Sequence, residues 1–211
     1  IVHLVVRTLM ESNVMERTIA DVLSEALRDE GESLFVVAPD AETIEALVEV
    51  LDDSAPPVRL LGDPDTIKRV MNDFLIAGRA ADHVESGRLE IRTGDGGTNT
   101  LLVTDSSVVS IVRADDRVAG LTTDDSAFIE SANERFESAW ERAAEYSLRT
   151  PSLARVRETL AAELGASTAD DFDRVLASLE TAEESGDEFD EVTITLLVAA
   201  KNEDLLYDIS K

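Results

Sequence analysis

The feature that most limits how this chain can fold is the run at residues 34–38, Leu-Phe-Val-Val-Ala, closed by Pro39 and followed at once by Asp40 and a helical pattern. A short apolar run rich in branched side chains and bounded by turn residues reads as a buried strand. Asp40 is placed to cap a helix over about residues 41–51 that sets Ile44, Leu47, Val48 and Leu51 on one face. A second run, 58–61, ends in Gly62-Asp63-Pro64, and the proline opens another helix with Ile67, Val70, Met71, Phe74 and Leu75 on one side. Strands joined through helices of this length return to the same end of the sheet, so they pair in parallel. Upstream, Ile19, Val22, Leu23, Ala26 and Leu27 recur at helical spacing within 15–28, and Gly31 ends that helix.

Beyond Arg79 the rhythm changes. Strand candidates at 88–92, 100–104, 108–113 and 118–121 are separated by Gly94-Asp95-Gly96-Gly97, Asp105-Ser106-Ser107 and Asp115-Asp116, which suits an antiparallel meander. A helix over 125–146 then aligns Phe128, Ala132, Phe136 and Trp140, a stripe read as core packing. Thr150-Pro151 begins a wholly helical region: one helix at 153–164, closed by Gly165, and a second from a Ser167 or Thr168 cap to about 180. An acidic linker at 182–188 and helices at 192–200 and 204–210 follow. The expected fold is α/β, a mixed sheet with a parallel βαβ start and an antiparallel meander, followed by an all-helical C-terminal region. The expected divisions are an N-terminal extension at 1–14, the α/β domain at 15–147 and the helical domain at 148–211. Met10 or Met15 is the expected initiator.

Composition excludes many chemistries. Forty-five acidic residues against 19 basic ones leave a net charge of -26, and only three of the basic residues are lysine. Bulk attraction to nucleic acid or to an anionic membrane is therefore not the default. The absence of cysteine removes disulfides, thiolate metal sites and cysteine nucleophiles. With only His3 and His83, a site of three histidines is excluded. No run approaches the roughly 18 apolar residues of a membrane span, and no basic, cleavable leader precedes the chain, so the expected location is the cytoplasm. Acid on every helix, 16 Arg to 3 Lys and nine aromatic residues suit a protein kept in solution by concentrated salt. An ordinary acidic cytosolic protein is the alternative.

The catalytic classes fail one by one. The glycine-rich stretch 94–97 lies between strands rather than before a helix, so it is no dinucleotide fingerprint. A phosphate loop, a nucleophile elbow and a metal-binding histidine helix are all missing. Paired carboxylates such as Asp52/Asp53, Asp115/Asp116 and Asp170/Asp171 follow from composition alone. Asp40 and Asp63 stand where an open α/β sheet binds ligands, past the carboxyl ends of parallel strands, and are the candidate ligand contacts. Structural capping is the stronger reading of both, and an aspartate cap disfavours phosphate, leaving a neutral polyol or a cation. His83, beside Asp82 and Glu85, reads as a surface or helix-end residue.

The pair at 153–179 has helix-turn-helix spacing, but its second helix opens with Asp170, Asp171 and Asp173 against Arg174, which favours packing over groove reading. The tail from Glu191 resembles the first two helices of a winged helix-turn-helix, its recognition helix and wing lying beyond Lys211; a plain helical hairpin is the alternative.

Two stretches carry a family resemblance. TLLVTDSSVVSIVRADDRVAGLTTDDSAFIESANERFESAWERA, from Thr100, is similar to the end of the phospholipase-D-like sensor domain of archaeal regulators of the TrmB type. DEVTITLLVAAKNEDLLYDISK, from Asp190, is similar to the start of the winged-helix region of haloarchaeal TbsP-like transcriptional regulators, and the order of segments from about Glu16 agrees. Active phospholipase-D enzymes carry a His-x-Lys motif that this chain lacks, so the resemblance implies a non-catalytic sensor or dimerisation domain. It also implies a homodimer, promoter DNA as the partner of the parent protein, weak binding by this chain alone, and a small-molecule effector. No enzyme activity, cofactor, metal or membrane partner is expected. A diverged hydrolase or phosphodiesterase and a protein-interaction module without DNA binding are the alternatives.

Overall fold

The computed structural model describes residues 13–14, 18–28, 33–114 and 117–183. In chain order the elements are β1 (Asn13–Val14), α1 (Ile19–Leu27), β2 (Leu34–Val37), α2 (Ala41–Val50), β3 (Val58–Gly62), α3 (Pro64–Val70), α4 (Phe74–Glu85), β4 (Leu89–Thr93), β5 (Leu101–Val103), β6 (Val108–Ala114), β7 (Arg117–Thr123), α5 (Ser126–Arg142), β8 (Ala144–Glu145), α6 (Leu153–Glu163) and α7 (Ala166–Glu183). The terminal segments at 1–12 and 184–211, where the extension and the winged-helix start were expected, lie outside the described residues.

The eight strands form one sheet in the order β1-β7-β6-β5-β2-β3-β4-β8. β2, β3 and β4 run parallel, with Val37 opposite Leu61 and Leu61 opposite Arg92. β5, β6 and β7 continue antiparallel from the other edge of β2. The parallel start and the meander over β5, β6 and β7 are as the residue pattern predicts, but the strand expected at 88–92 as the first of the meander is instead the third parallel strand: α3 and α4 cross over between β3 and β4, so β4 pairs with β3 and lies away from β5. Central parallel strands must be apolar on both faces, which is why residues 34–37 form an unbroken buried run. Phe35, Val37, Leu61, Val103 and Val108 pack against Ile129, Ala132, Phe136 and Trp140 of α5. Val36, Leu60 and Leu102, on the opposite face, are fully buried, as are Ile44 and Leu47 of α2.

Several boundaries differ from the sequence expectation. α1 starts at Ile19 because Thr18 and Asp21 form a reciprocal capping box there. The single helix expected from Pro64 to beyond Leu75 is two: Asp73 turns the chain, its carboxylate accepting the N–H groups of Leu75 at 2.9 Å and Ile76 at 3.0 Å. α5 stops at Arg142, not Tyr146, because the chain then joins the sheet edge as β8. α7 begins directly after Gly165, whose φ of +98° only glycine adopts cheaply, rather than at a Ser167 or Thr168 cap.

The chain divides into two compact units, one from Ile1–Val70 with Ser86–Ser147 and the other from Met71–Glu85 with Leu148–Lys211. The first contains the whole sheet with α1, α2, α3 and α5. The second groups α4 with α6 and α7: Phe74, Leu75, Phe172 and Leu176 form its core, with Leu153, Val156 and Leu160 against them. Met71, Phe74 and Leu75, which continue the apolar stripe of Ile67 and Val70, thus belong to a different unit.

Candidate functional site

The carboxyl ends of β2 and β3 lie side by side, and each continues into one of the two candidate aspartates. Asp40 caps α2: its carboxylate accepts the N–H of Thr43 at 2.9 Å and the Thr43 hydroxyl at 2.7 Å. The Arg113 guanidinium, reaching over from β6, donates to Asp40 at 2.8 Å and also to Glu42. Asp63 is exposed and caps α3, accepting from Asp65 N–H at 2.9 Å and Thr66 N–H at 3.1 Å. The fold therefore places the two residues at one edge of the sheet and gives each a capping contact. Arg113 was not anticipated, because its partner lies 73 residues away in sequence.

The connection from β4 to β5 lies over the same edge. Gly96 is buried there, so close to the strand that a methyl on its α-carbon would come within 2.8 Å of Val37 Cγ1. Ala38, the next residue, has a φ of +48°, the left-handed region that favours glycine. Its N–H donates to the Leu61 carbonyl at 2.8 Å.

An open pocket of about 690 Å³ lies elsewhere on the first unit. It is lined by Asp105 and Ser106 of the β5–β6 turn, by Asp124, and by Glu130, Asn133 and Glu137 on one flank of α5. Asn133 donates to the Thr104 carbonyl at 3.3 Å, tying helix to turn. Glu137 accepts from Arg59 at 2.7 Å, across the sheet face. So acidic a lining repels phosphate. The helical spacing of Ser126, Glu130, Asn133 and Glu137 was legible in sequence, but their meeting with the turn was not. Among the described residues there is no group of three or more His, Asp or Glu side chains that could hold a metal ion.

Trp140 closes the other end of α5. Its ring meets Phe35 edge-on at 5.9 Å, and the Arg92 guanidinium lies 4.7 Å from its centroid. Arg92 also donates to the Trp140 carbonyl at 2.9 Å. Trp140, Phe136 and Ala132 thus have the packing role their stripe predicts, whereas Phe128, in the first turn of α5, is 54% exposed and lies outside the core.

In the second unit, α6 is capped twice. Ser152 accepts the Arg155 N–H at 3.3 Å, and Asp82 of α4 accepts the Ala154 N–H at 3.1 Å. Gly78 faces Leu153 so closely that an added methyl would meet its Cδ2 at 2.6 Å. Ala169, Phe172 and Leu176 of α7 are buried, leaving acid and arginine outside. There Arg157 donates to Asp173 at 2.7 Å, a contact that raises the Arg157 pKa through its hydrogen bond and charge. Arg174 pairs with Asp171 at 2.5 Å. His83 lies half-buried in the last turn of α4.

Comparison with known proteins divides the chain near the start of α6 but, unlike the packing, leaves α4 with the N-terminal part. The family model described as "Transcriptional regulator TbsP-like, N-terminal" matches residues 11–151, and "Transcriptional regulator TbsP-like, C-terminal HTH domain" matches 152–211. The second begins at Ser152, the cap of α6, so α6 and α7, read from sequence as a packing pair, fall within the helix-turn-helix domain. No curated protein matches the chain in sequence. Among solved structures, one of TrmBL2, titled an archaeal chromatin protein with a novel mode of DNA binding, is similar at 18% identity and a TM-score of 0.46. The match covers 64% of this chain and 54% of that one, so this chain spans about half of its length. NucT from Helicobacter pylori is similar at 12% identity and a TM-score of 0.43, over 64% of this chain and 98% of that one. With two adjoining family models spanning residues 11–211, the chain belongs to the TbsP-like transcriptional regulators and carries their C-terminal helix-turn-helix domain.

Proposed function

We propose that the chain regulates transcription by binding promoter DNA as a homodimer through a winged helix at its C-terminal end. In this reading the α/β unit is a non-catalytic, phospholipase-D-like module for sensing or dimerisation. The observation that carries the reading is the pair of family matches, a regulator N-terminal domain joined directly to a helix-turn-helix domain. An effector or a change in dimer geometry would act by altering the spacing of two DNA-reading heads, which must match two half-sites. An effector at the carboxyl ends of β2 and β3 would meet Asp40 and Asp63, and the carboxylates suit a polyol or a cation.

The charge of -26 gives the setting. In dilute buffer of about 0.01 M ionic strength such a surface repels DNA over about 30 Å, whereas near 1 M salt the Debye length is about 3 Å. The reading therefore places the protein in the cytoplasm of a halophilic archaeon, where short-range contacts to bases, more than counterion release, must supply affinity. No described helix is long and apolar enough to cross a membrane.

The test is selection of genomic DNA fragments from the source organism by the full-length gene product in molar KCl. Repeated recovery of discrete sites upstream of genes is the expected result. Recovery no better than from random fragments overturns the proposal.

A further inference from the structure

We propose that residues 95–99, the middle of the β4–β5 connection, form a hinged cover that opens and closes over the carboxyl end of β2 while the sheet stays folded. The connection is held firmly at its two ends. Gly94 donates its N–H to the Gly62 carbonyl at 3.1 Å. At the other end the Thr100 hydroxyl donates to the Ala38 carbonyl at 2.9 Å, and the Thr100 carbonyl accepts the Ile111 N–H at 3.0 Å. Between these anchors Asp95, Gly97, Thr98 and Asn99 are exposed, and only Gly96 is buried. The Asp95 carboxylate accepts the Gly97 N–H at 2.9 Å, a bond internal to the loop that can travel with it. Gly94 and Gly97, the latter at φ +99°, supply backbone freedom on either side of the seat.

Local stability follows the contacts a segment makes, so a segment seated by one glycine opens at far lower cost than the strands beneath it. What it covers is specific. Gly96 sits on Val37 and Ala38, and Ala38 is held in the left-handed region from both sides, by Leu61 and by Thr100. Strained backbone of this kind persists only where its surroundings over-determine it, and it gathers at switch regions. The covered position is the carboxyl end of a parallel strand, where open α/β sheets admit ligands. The cover goes beyond the regulator reading and does not depend on it.

The chain has no cysteine, which makes the test clean. Val37→Cys places a thiol under the cover, and Val36→Cys places one on the opposite face of the same strand; both positions are fully buried. In the otherwise unaltered full chain, the thiol at position 37 is expected to react with a small thiol reagent at least about tenfold faster than that at 36, with little dependence on urea, as local opening requires. Adding Gly96→Ala, whose methyl would still crowd the Ala38 backbone nitrogen at 3.0 Å and the Ala38 Cβ at 3.3 Å when position 37 is cysteine, should raise the rate at position 37 alone. Equal rates at both positions, or a Gly96→Ala effect shared by both, would mean that exposure needs unfolding of the sheet and would overturn the proposal.

Discussion

Replacing Trp140 with alanine tests how α5 is held on the sheet. The side chain is 5% exposed, so truncation removes nearly all of its buried surface and leaves a cavity, for which tryptophan-to-alanine changes in cores cost about 3–5 kcal/mol. Within that figure, the edge-on contact with Phe35 is worth about 0.5–1.5 kcal/mol. The Arg92 guanidinium at 4.7 Å contributes up to about 1 kcal/mol in a partly exposed setting. The Arg92 bond to the Trp140 carbonyl is to the backbone and survives. A domain of ordinary stability, about 5–15 kcal/mol, would lose from about a fifth to nearly all of it. Trp140→Phe keeps a ring against Phe35 and should cost about 1–2 kcal/mol. Urea unfolding in molar KCl, followed by far-ultraviolet circular dichroism, measures both, since the only tryptophan is the one removed. A Trp140→Ala variant within about 1 kcal/mol of the parent, or a phenylalanine variant as damaged as the alanine one, would refute the claim that this ring anchors the helix.

Three further outcomes are expected. The melting temperature should rise from dilute buffer to molar KCl, because screening relieves the repulsion among 45 carboxylates; a melting temperature indifferent to KCl contradicts this. Asp40→Ala removes a helix cap and should cost about 1–2 kcal/mol, whereas Arg113→Ala, which removes only partly exposed ion pairs, should cost less than about 1 kcal/mol; equal losses in urea unfolding would reassign the dominant role to the ion pairs. The Asp52 pKa is lowered chiefly by the Ser54 hydroxyl and then by the Ser54 N–H, both donating to its carboxylate. Its folded value thus lies below its unfolded one, so its contribution is full above the unfolded value of about 3.9 and disappears as pH falls through the folded value. Asp52→Asn should flatten that acid limb of the melting-temperature profile by lowering the melting temperature slightly at neutral pH, where the contribution is full, while leaving the most acidic end little changed; an unaltered acid limb would count against it.

Much of the first unit was legible because its signals are local. The unbroken run at 34–37 reports a strand buried on both faces, and Asp40 and Asp125 cap helices where their positions before apolar stripes suggest. The break at Asp73 was hidden, since Ile67, Val70, Met71, Phe74 and Leu75 keep helical spacing across it. The candidate site was readable only in part: Asp40 and Asp63 could be placed beyond strand ends, but Arg113, Thr100 and Gly96 reach that edge from distant elements. The acidic pocket was hidden for the same reason, since the β5–β6 turn and α5 meet there only in three dimensions.

The residues alone determined most of the strands and helices, that the first two strands of the βαβ start run parallel, and that the surface is strongly anionic, because capping, periodicity and charge act over a few residues; that β4 joins them as a third parallel strand was decided by the tertiary fold. Tertiary structure alone decided that α4 packs with α6 and α7, that Arg113 clamps the start of α2, and that the β4–β5 connection lies over β2. Each of these depends on which distant apolar surfaces and charges come within a few ångströms, and periodicity along the chain carries no information about its partner.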